Sequence, residues 1–278
     1  MQRRPGLIAR IFGALVPTFR YWMQTEVHVY AFSVAANVLL SFFPFLIVSI
    51  TLSRVFFDQR TTLAAIDFAL RDYFPDSLGH FLLNNLPLRR PPEALSIVLL
   101  LFTANGIFEP LEVALNRAWG IHKNRSFFRN QLVSMALIFA CGGLALLSLG
   151  ITAMQSQSLL GNRVGLWTSV FFLKVAAVPL AVLILFLVYR FLPNGKPPLK
   201  RVIPAAIGVG LLLELLKYVN VLIWPRFQLK LAREYGVFQN SVTLILLSFI
   251  SSLLVLGGAE WAARGHRLDS LPHKEGTF

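Results

Sequence analysis

The sequence predicts an all-α, polytopic membrane protein with about six transmembrane helices, interfacial amphipathic helices and both termini in the cytoplasm. Three observations carry that prediction. Hydrophobic residues make up 56% of the 278-residue chain and charged residues only 14%, whereas a typical soluble domain has about 25% charged residues. Mean hydropathy is +0.65, and no polar half separates from a hydrophobic one, so a single membrane domain is the simpler account. Five of the apolar runs approach the ~20 residues needed to cross ~30 Å of hydrocarbon.

The runs follow in order along the chain. The first, 29–53, carries no charge. The second, 94–108, is short, about 22 Å of helix at 1.5 Å per residue, and crosses only with help from the less apolar residues after it. The third is 132–154. The fourth, 166–189, encloses Lys174. The fifth is 202–224 and the sixth 237–261. This divides the chain into an interfacial segment (1–24), a membrane domain (25–264) with an outer loop (54–93), and a polar, mobile tail (265–278).

Charge sets the orientation. The formal net charge is +13, which in a soluble protein would favour nucleic-acid binding. Here the excess sits in loops. With the N-terminus inside, the cytoplasmic segments carry fifteen Lys and Arg and the outer ones nine. The segment 117–131 has no acid at all, while the outer loop holds Asp58, Asp67, Asp72, Asp76 and Glu93. Positive-inside bias accounts for most of the charge, so no nucleic-acid partner is expected.

Two stretches outside the spans have an amphipathic pattern. Leu7, Ile8, Ile11, Phe12, Leu15, Phe19 and Trp22 fall at helical spacing, with Arg10 and Arg20 between them, which suits a helix lying on an anionic leaflet. Pro17 interrupts that pattern. In the outer loop Leu78, Phe81, Leu82 and Leu86 line one face of a short helix. Cys141 is the single cysteine and excludes a disulfide framework. No internal repeat of the inverted-transporter kind is visible.

Polar residues inside the spans are the candidate functional groups. Glu214 and Lys217 lie in LLLELLKYVN, close to the middle of the fifth span. A central Lys or Asp costs about 2.5–3.5 kcal/mol on an insertion scale, but at i, i+3 the two share a face and can pair. That face continues through Ala206 and Gly210, whose small side chains let a neighbour approach. It is therefore expected to point into the bundle, leaving Leu211, Leu212 and Leu215 for lipid. The pair reads either as an internal lock on helix register or as a polar site for a headgroup or a proton.

A second set lies at the end of the second span. Asn105, Glu109, Glu112 and Asn116 form one helical stripe, with Phe108, Leu111, Leu115 and Trp119 beside it. Pro110 suits the first turn of a new segment, so a broken or kinked helix is expected, its polar stripe facing either a wet interior or bulk solvent. ALNRAWGIHKNRSFFRNQ, which follows, is basic and aromatic and suits an anionic lipid surface. Ser33, Asn37 and Ser41, then Pro44, put a polar face in the first span; Ser241, Ser248 and Ser252 put another in the sixth. Such residues mostly join helices to one another.

Catalytic signatures are missing. There is no HExxH, GxSxG, Walker lysine loop or GxGxxG. The five histidines are scattered outside the spans, with no metal-ligand spacing among them. No cofactor, no metal and no enzymatic activity are expected.

Four motifs in order resemble the YihY/virulence factor BrkB family over roughly residues 20–264. They are AFSVAANVLLSFFPFLIV with Pro44; EVALNRAWGIHKNRSF with Asn116 and Arg125; RFLPNGKPPLKRVIPAAIGVGLLLELLKY with Pro193, Gly208 and Glu214; and YGVFQNSVTLILLSFISSLLVLGGAEW, ending in Gly258, Ala259 and Glu260. Family members often carry Trp-Leu-Tyr where this chain has Ser248, Phe249 and Ile250, so no aromatic role carries over there. The resemblance implies a bacterial cytoplasmic-membrane protein. Some members have borne a ribonuclease BN label, which the residues here do not support; others are linked to moving lipids or lipid precursors in envelope construction.

Together these readings point to a transporter or flippase-like carrier of an anionic lipid or other amphiphile. Glu214, Lys217, Glu109, Glu112, Asn116, Asn105 and Asn37 would line its polar path, and its partners would be membrane lipids with anionic headgroups. A non-transporting scaffold with a structural ion pair is the second reading. A tRNA-processing nuclease is the third.

Overall fold

The computed structural model describes residues 16–53, 94–122, 125–158 and 178–269. The expected helix face at 7–15, the outer-loop helix of Leu78, Phe81, Leu82 and Leu86, and Lys174 lie outside the described residues.

Every regular element among the described residues is helical. A short helix α1 (16–22) precedes α2 (Thr25–Ser53), α3 (Ala94–Ala118) and α4 (Phe127–Ser158). Then come α5 (Val178–Phe191), α6 (Leu199–Tyr235), a 3-10 turn (Gly236–Phe238) and α7 (Gln239–Asp269). Helices α2 to α7 overlap the six expected apolar runs, of which 166–177 in the fourth lies outside the described residues. By length and composition α2, α4 and the continuous α6–α7 unit are apolar enough to cross a bilayer, and α5 is a shorter apolar helix.

α2 packs most broadly on α3 and α7, and α6 on α7. α6 and α7 run antiparallel. As residue number rises on α6 from Arg201 through Val209 to Lys217, its neighbours on α7 fall from Gly265 through Gly258 to Ser251. Gly236, at φ 52°, lets the chain turn between them because only glycine takes such a φ without a Cβ clash.

The core lies where the small faces meet. Ala31, Val34 and Ala35 of α2, Ala114 and Leu115 of α3, Ala205, Ala206 and Val209 of α6, and Leu256, Ala259 and Ala262 of α7 are all buried. Small side chains allow backbones to approach closely, which is how helices associate where lipid removes the hydrophobic drive. The expected lipid face of α6 is as read from the sequence: Ala206 and Gly210 are buried while Leu211, Leu212 and Leu215 are exposed.

Five expectations change. Pro110 does not start a new helix: α3 runs unbroken from Ala94 to Ala118. The missing N–H instead removes one rung, the one to the carbonyl of Gly106. The outer loop expected at 225–236 is helical to Tyr235, because α6 continues through Pro225 with Lys230 and Glu234 4.0 Å apart across one turn. At 37 residues, α6 is about 55 Å long, well beyond the ~30 Å hydrocarbon core. The start of the mobile tail is also helical, since α7 extends to Asp269. Several in-span hydroxyls do not join helices; Ser41, Thr51, Thr243 and Ser252 donate to carbonyls of their own helix three or four residues back, a geometry that competes with interhelical bonding. Finally, Trp22 leaves the face assigned to lipid, as described next.

Candidate functional site

The sequence-derived polar residues fall into three groups, and each is set by a different local rule.

The first group is Glu214 and Lys217. One helical turn brings Lys217 Nζ to 2.5 Å from Glu214 Oε1, and the side chains are only 18% and 17% exposed for Glu214 and Lys217. Glu214 lies fifteen residues into α6, about 22 Å from its start. The ion pair closes within one helix, so it does not itself tie two helices together. Lys217 also lines a small compartment of about 90 Å³ between α6 and α7, with Leu213, Leu216, Asn220, Leu247 and Ser251. Asn220 and Ser251 were not among the expected site residues. The signal for Ser251 was available in the sequence, since it sits in the serine-rich stretch of the last span.

The second group is at the α2–α3 crossing. Asn37 is half-buried, donates to the Ser33 carbonyl at 2.9 Å, and lies directly against Gly106. Any larger residue at 106 would run into the carboxamide. Asn105 is half-buried beside it.

The third group is at the basic end of the bundle. α3 stops in a Schellman turn: Gly120 takes φ 67°, Ile121 N–H donates to the Asn116 carbonyl at 2.8 Å, and Gly120 N–H to that of Arg117 at 3.1 Å. That pattern satisfies carbonyls a helix end would otherwise leave without partners. It turns Ile121 onto Gly195 and leaves Asn116 buried against the loop after α5. Asn116 Oδ1 accepts from Asn194 N–H at 2.7 Å, and its Nδ2 lies 3.4 Å from Glu112 Oε1. Arg125 reaches the same loop and donates to the carbonyls of Phe191 (3.3 Å), Leu192 (3.5 Å) and Pro193 (2.6 Å), capping the negative end of α5. Glu109 is different: it is exposed. The expected four-residue stripe is therefore split, with Glu112 and Asn116 inside and Glu109 outside.

The basic end has a further knot that sequence reading missed. Thr18 Oγ1 donates to Glu260 Oε2 at 2.9 Å, Arg264 Nη2 to Thr18 Oγ1 at 3.2 Å, and Arg264 Nε sits 3.6 Å from Glu260 Oε1. Trp22 Nε1 donates to the Leu253 carbonyl at 2.7 Å, so this ring faces the bundle while Val16 and Phe19 of α1, and Met23 just after it, stay exposed. Burial, then the Glu260 carboxylate, pushes the Tyr21 phenol up to about 12. The Glu260–Arg264 spacing of four was the readable signal; that Thr18 joins it, 242 residues away, was not.

The motifs that carry the family resemblance thus meet in space. Asn116 and Arg125 of one hold the Pro193 loop of another, and Gly258 of the last lies against Val209 and Tyr189. Among the described residues no group of three His, Cys, Asp or Glu could hold a metal ion.

Comparison with known proteins agrees. The family described as Virulence factor BrkB matches residues 18–276. A UPF0761 membrane protein of Alcanivorax borkumensis is 30% identical over 205 residues, 68% of this chain and 45% of that protein. The putative ribonuclease-like protein YfkH of Bacillus subtilis is 28% identical over 84% of this chain and 88% of its own length. A UPF0761 membrane protein of Pseudoalteromonas translucida is 24% identical over 87% and 85%. The chain spans less than half of the Alcanivorax relative. No solved structure matches it.

Proposed function

From the premise that the chain belongs to the Virulence factor BrkB family and is a multi-pass membrane protein, we propose that it is a carrier that moves an anionic lipid or related amphiphile across the inner membrane. One observation carries the reading: a Glu214–Lys217 pair at 2.5 Å, with both side chains less than one-fifth exposed, held in mid-helix beside a compartment lined by Asn220 and Ser251. Ionisable groups at that depth are expensive and mark pathways by default. The headgroup would exchange for the internal partner while acyl chains stay in lipid. Glu112 and Asn116 support the carrier at the basic end, where they hold the loop after α5.

The test is lipid translocation in proteoliposomes, with wild type compared against the Glu214→Gln, Lys217→Met double variant at matched folded yield. The carrier reading expects flux of an anionic lipid in the wild type and its loss in a variant that melts normally. The scaffold reading expects no flux in either and a lower Tm in the variant. The nuclease reading, carried by the name of the Bacillus relative, expects divalent-metal-dependent RNA cleavage by protein freed of contaminants.

A further inference from the structure

Two cavities share a wall in the middle of the bundle. The larger, about 390 Å³, lies between α2, α3 and α7, with Val34, Val38 and Phe42 on the α2 side and Leu111 on α3. The smaller is the compartment of Lys217 and Asn220 between α6 and α7. Leu247 and Ser251, one turn apart on α7, line both. Among the described residues, these two are common to both linings.

The chemistry of the two sides differs. The larger chamber is apolar apart from the α7 serines, and Ser252 has its hydroxyl turned onto the Ser248 carbonyl at 2.7 Å. Its volume lies within the ~300–1,000 Å³ range of small-molecule sites. It is lined by the central turns of α2 and α7, so the surrounding solvent at that depth is hydrocarbon. The species at hand in that solvent is an acyl chain, whose methylenes would make dispersion contacts with the apolar lining. The smaller side brings together the Lys217 ammonium, paired with Glu214, the Asn220 amide and the Ser251 hydroxyl. That set suits a phosphate, which would displace the Glu214 carboxylate from the ammonium as it enters.

We propose that the two cavities form one bipartite site for a glycerophospholipid with an anionic headgroup. One acyl chain occupies the larger chamber, and the phosphate lies at Lys217 beyond Leu247 and Ser251. The proposal rests on the carrier reading for the presence of a headgroup at this depth and deepens it by naming the substrate class.

The probe is phosphatidylglycerol with a diazirine midway along one acyl chain, cross-linked to the full chain in proteoliposomes and mapped by mass spectrometry. A diacylglycerol with the same labelled chain is the uncharged control. Labelling at 34–42 and 244–255 should exceed that at the lipid-facing Leu211, Leu212 and Leu215 by about tenfold, and phosphatidylglycerol should outcompete the control. Ser251→Phe should reduce chamber labelling to the level of those leucines with an unchanged Tm, and Leu247→Ala should carry it across to Leu213 and Leu216. Even labelling over all apolar faces, or chamber labelling untouched by both variants, overturns the site. Equal labelling by the two probes overturns its headgroup half. Chamber labelling in a protein without flux keeps the site and sinks the carrier reading; flux with even labelling does the reverse.

Discussion

α7 is packed in two opposite ways along its length. Near Gly257 and Gly258 nothing is left open. A Cβ on Gly257 would lie 2.5 Å from Trp22 Nε1, and one on Gly258 would run into Val209 and reach within 2.7 Å of the Tyr189 hydroxyl. Tyr189, itself fully buried, spends that hydroxyl on the Val255 carbonyl at 2.6 Å. About one to four turns earlier the same helix, from Leu244 to Ser252, faces cavities on two sides. Glycine and serine are both small, yet one stretch uses smallness to bring helices together and the other leaves space between them. The difference lies in the partners. Trp22, Tyr189 and Val209 fill the glycine notches, whereas the serines share cavities with Val34, Val38 and Phe42 on one side and Lys217 and Asn220 on the other.

The sharpest way to break the comparison is Gly258→Val. Overpacking a filled core costs about 1–3 kcal/mol even where neighbours can shift, and here Val209 and Tyr189 are both buried. Folded yield after detergent extraction should collapse. The contrasting Ser251→Val adds bulk where there is room and should leave Tm unchanged or slightly raised. Equal damage from the two would mean that α7 is uniformly packed.

Arg125→Ala comes next. It strips the donor from three carbonyls at the end of α5, and a hydrogen bond to a charged group contributes about 1.5–3 kcal/mol. Tm should fall clearly. Lysine should restore only part of it, because an ammonium cannot span several carbonyls as a guanidinium fork does.

A smaller effect is expected at the α2–α3 crossing. Gly106→Ala should cost about 1 kcal/mol, since the obstacle is the end of the Asn37 side chain rather than backbone. Asn37→Ser should recover it in the double variant, and the coupling read from the Tm cycle measures how tightly that crossing is closed.

Smallest is Glu26→Gln. Its contact with Arg117 is 2.5 Å, but both side chains are more than half exposed. Pairs this exposed contribute little and fade with salt. A Tm shift in 0.5 M salt as large as at low salt would show the pair to be shielded in the membrane-embedded protein.

Legibility followed the range of the interaction. The Glu214–Lys217 pair was readable because i, i+3 geometry belongs to any helix. The lipid-facing and bundle-facing sides of α6 were readable because residue size alternates with helical period. The polar stripe on α3 was read only in part: periodicity placed Glu109, Glu112 and Asn116 near one face, but burial separated them. Trp22 was assigned to lipid because apolar periodicity cannot tell a ring facing hydrocarbon from one facing a glycine notch 235 residues away.

By itself, then, the sequence determined the all-helical membrane class, the order of the six apolar segments and which face of α6 stays exposed. Each of these depends on composition or on contacts within one or two turns. Only the tertiary structure decided that Thr18 meets Glu260, that Arg125 and Asn116 hold the loop after α5, and that Leu247 and Ser251 stand between two cavities. Those facts depend on which helices are neighbours and how closely they approach. Hydrocarbon is as apolar as the side chains it surrounds, so hydrophobicity cannot select neighbours in a bilayer; shape complementarity and a few polar contacts make that choice.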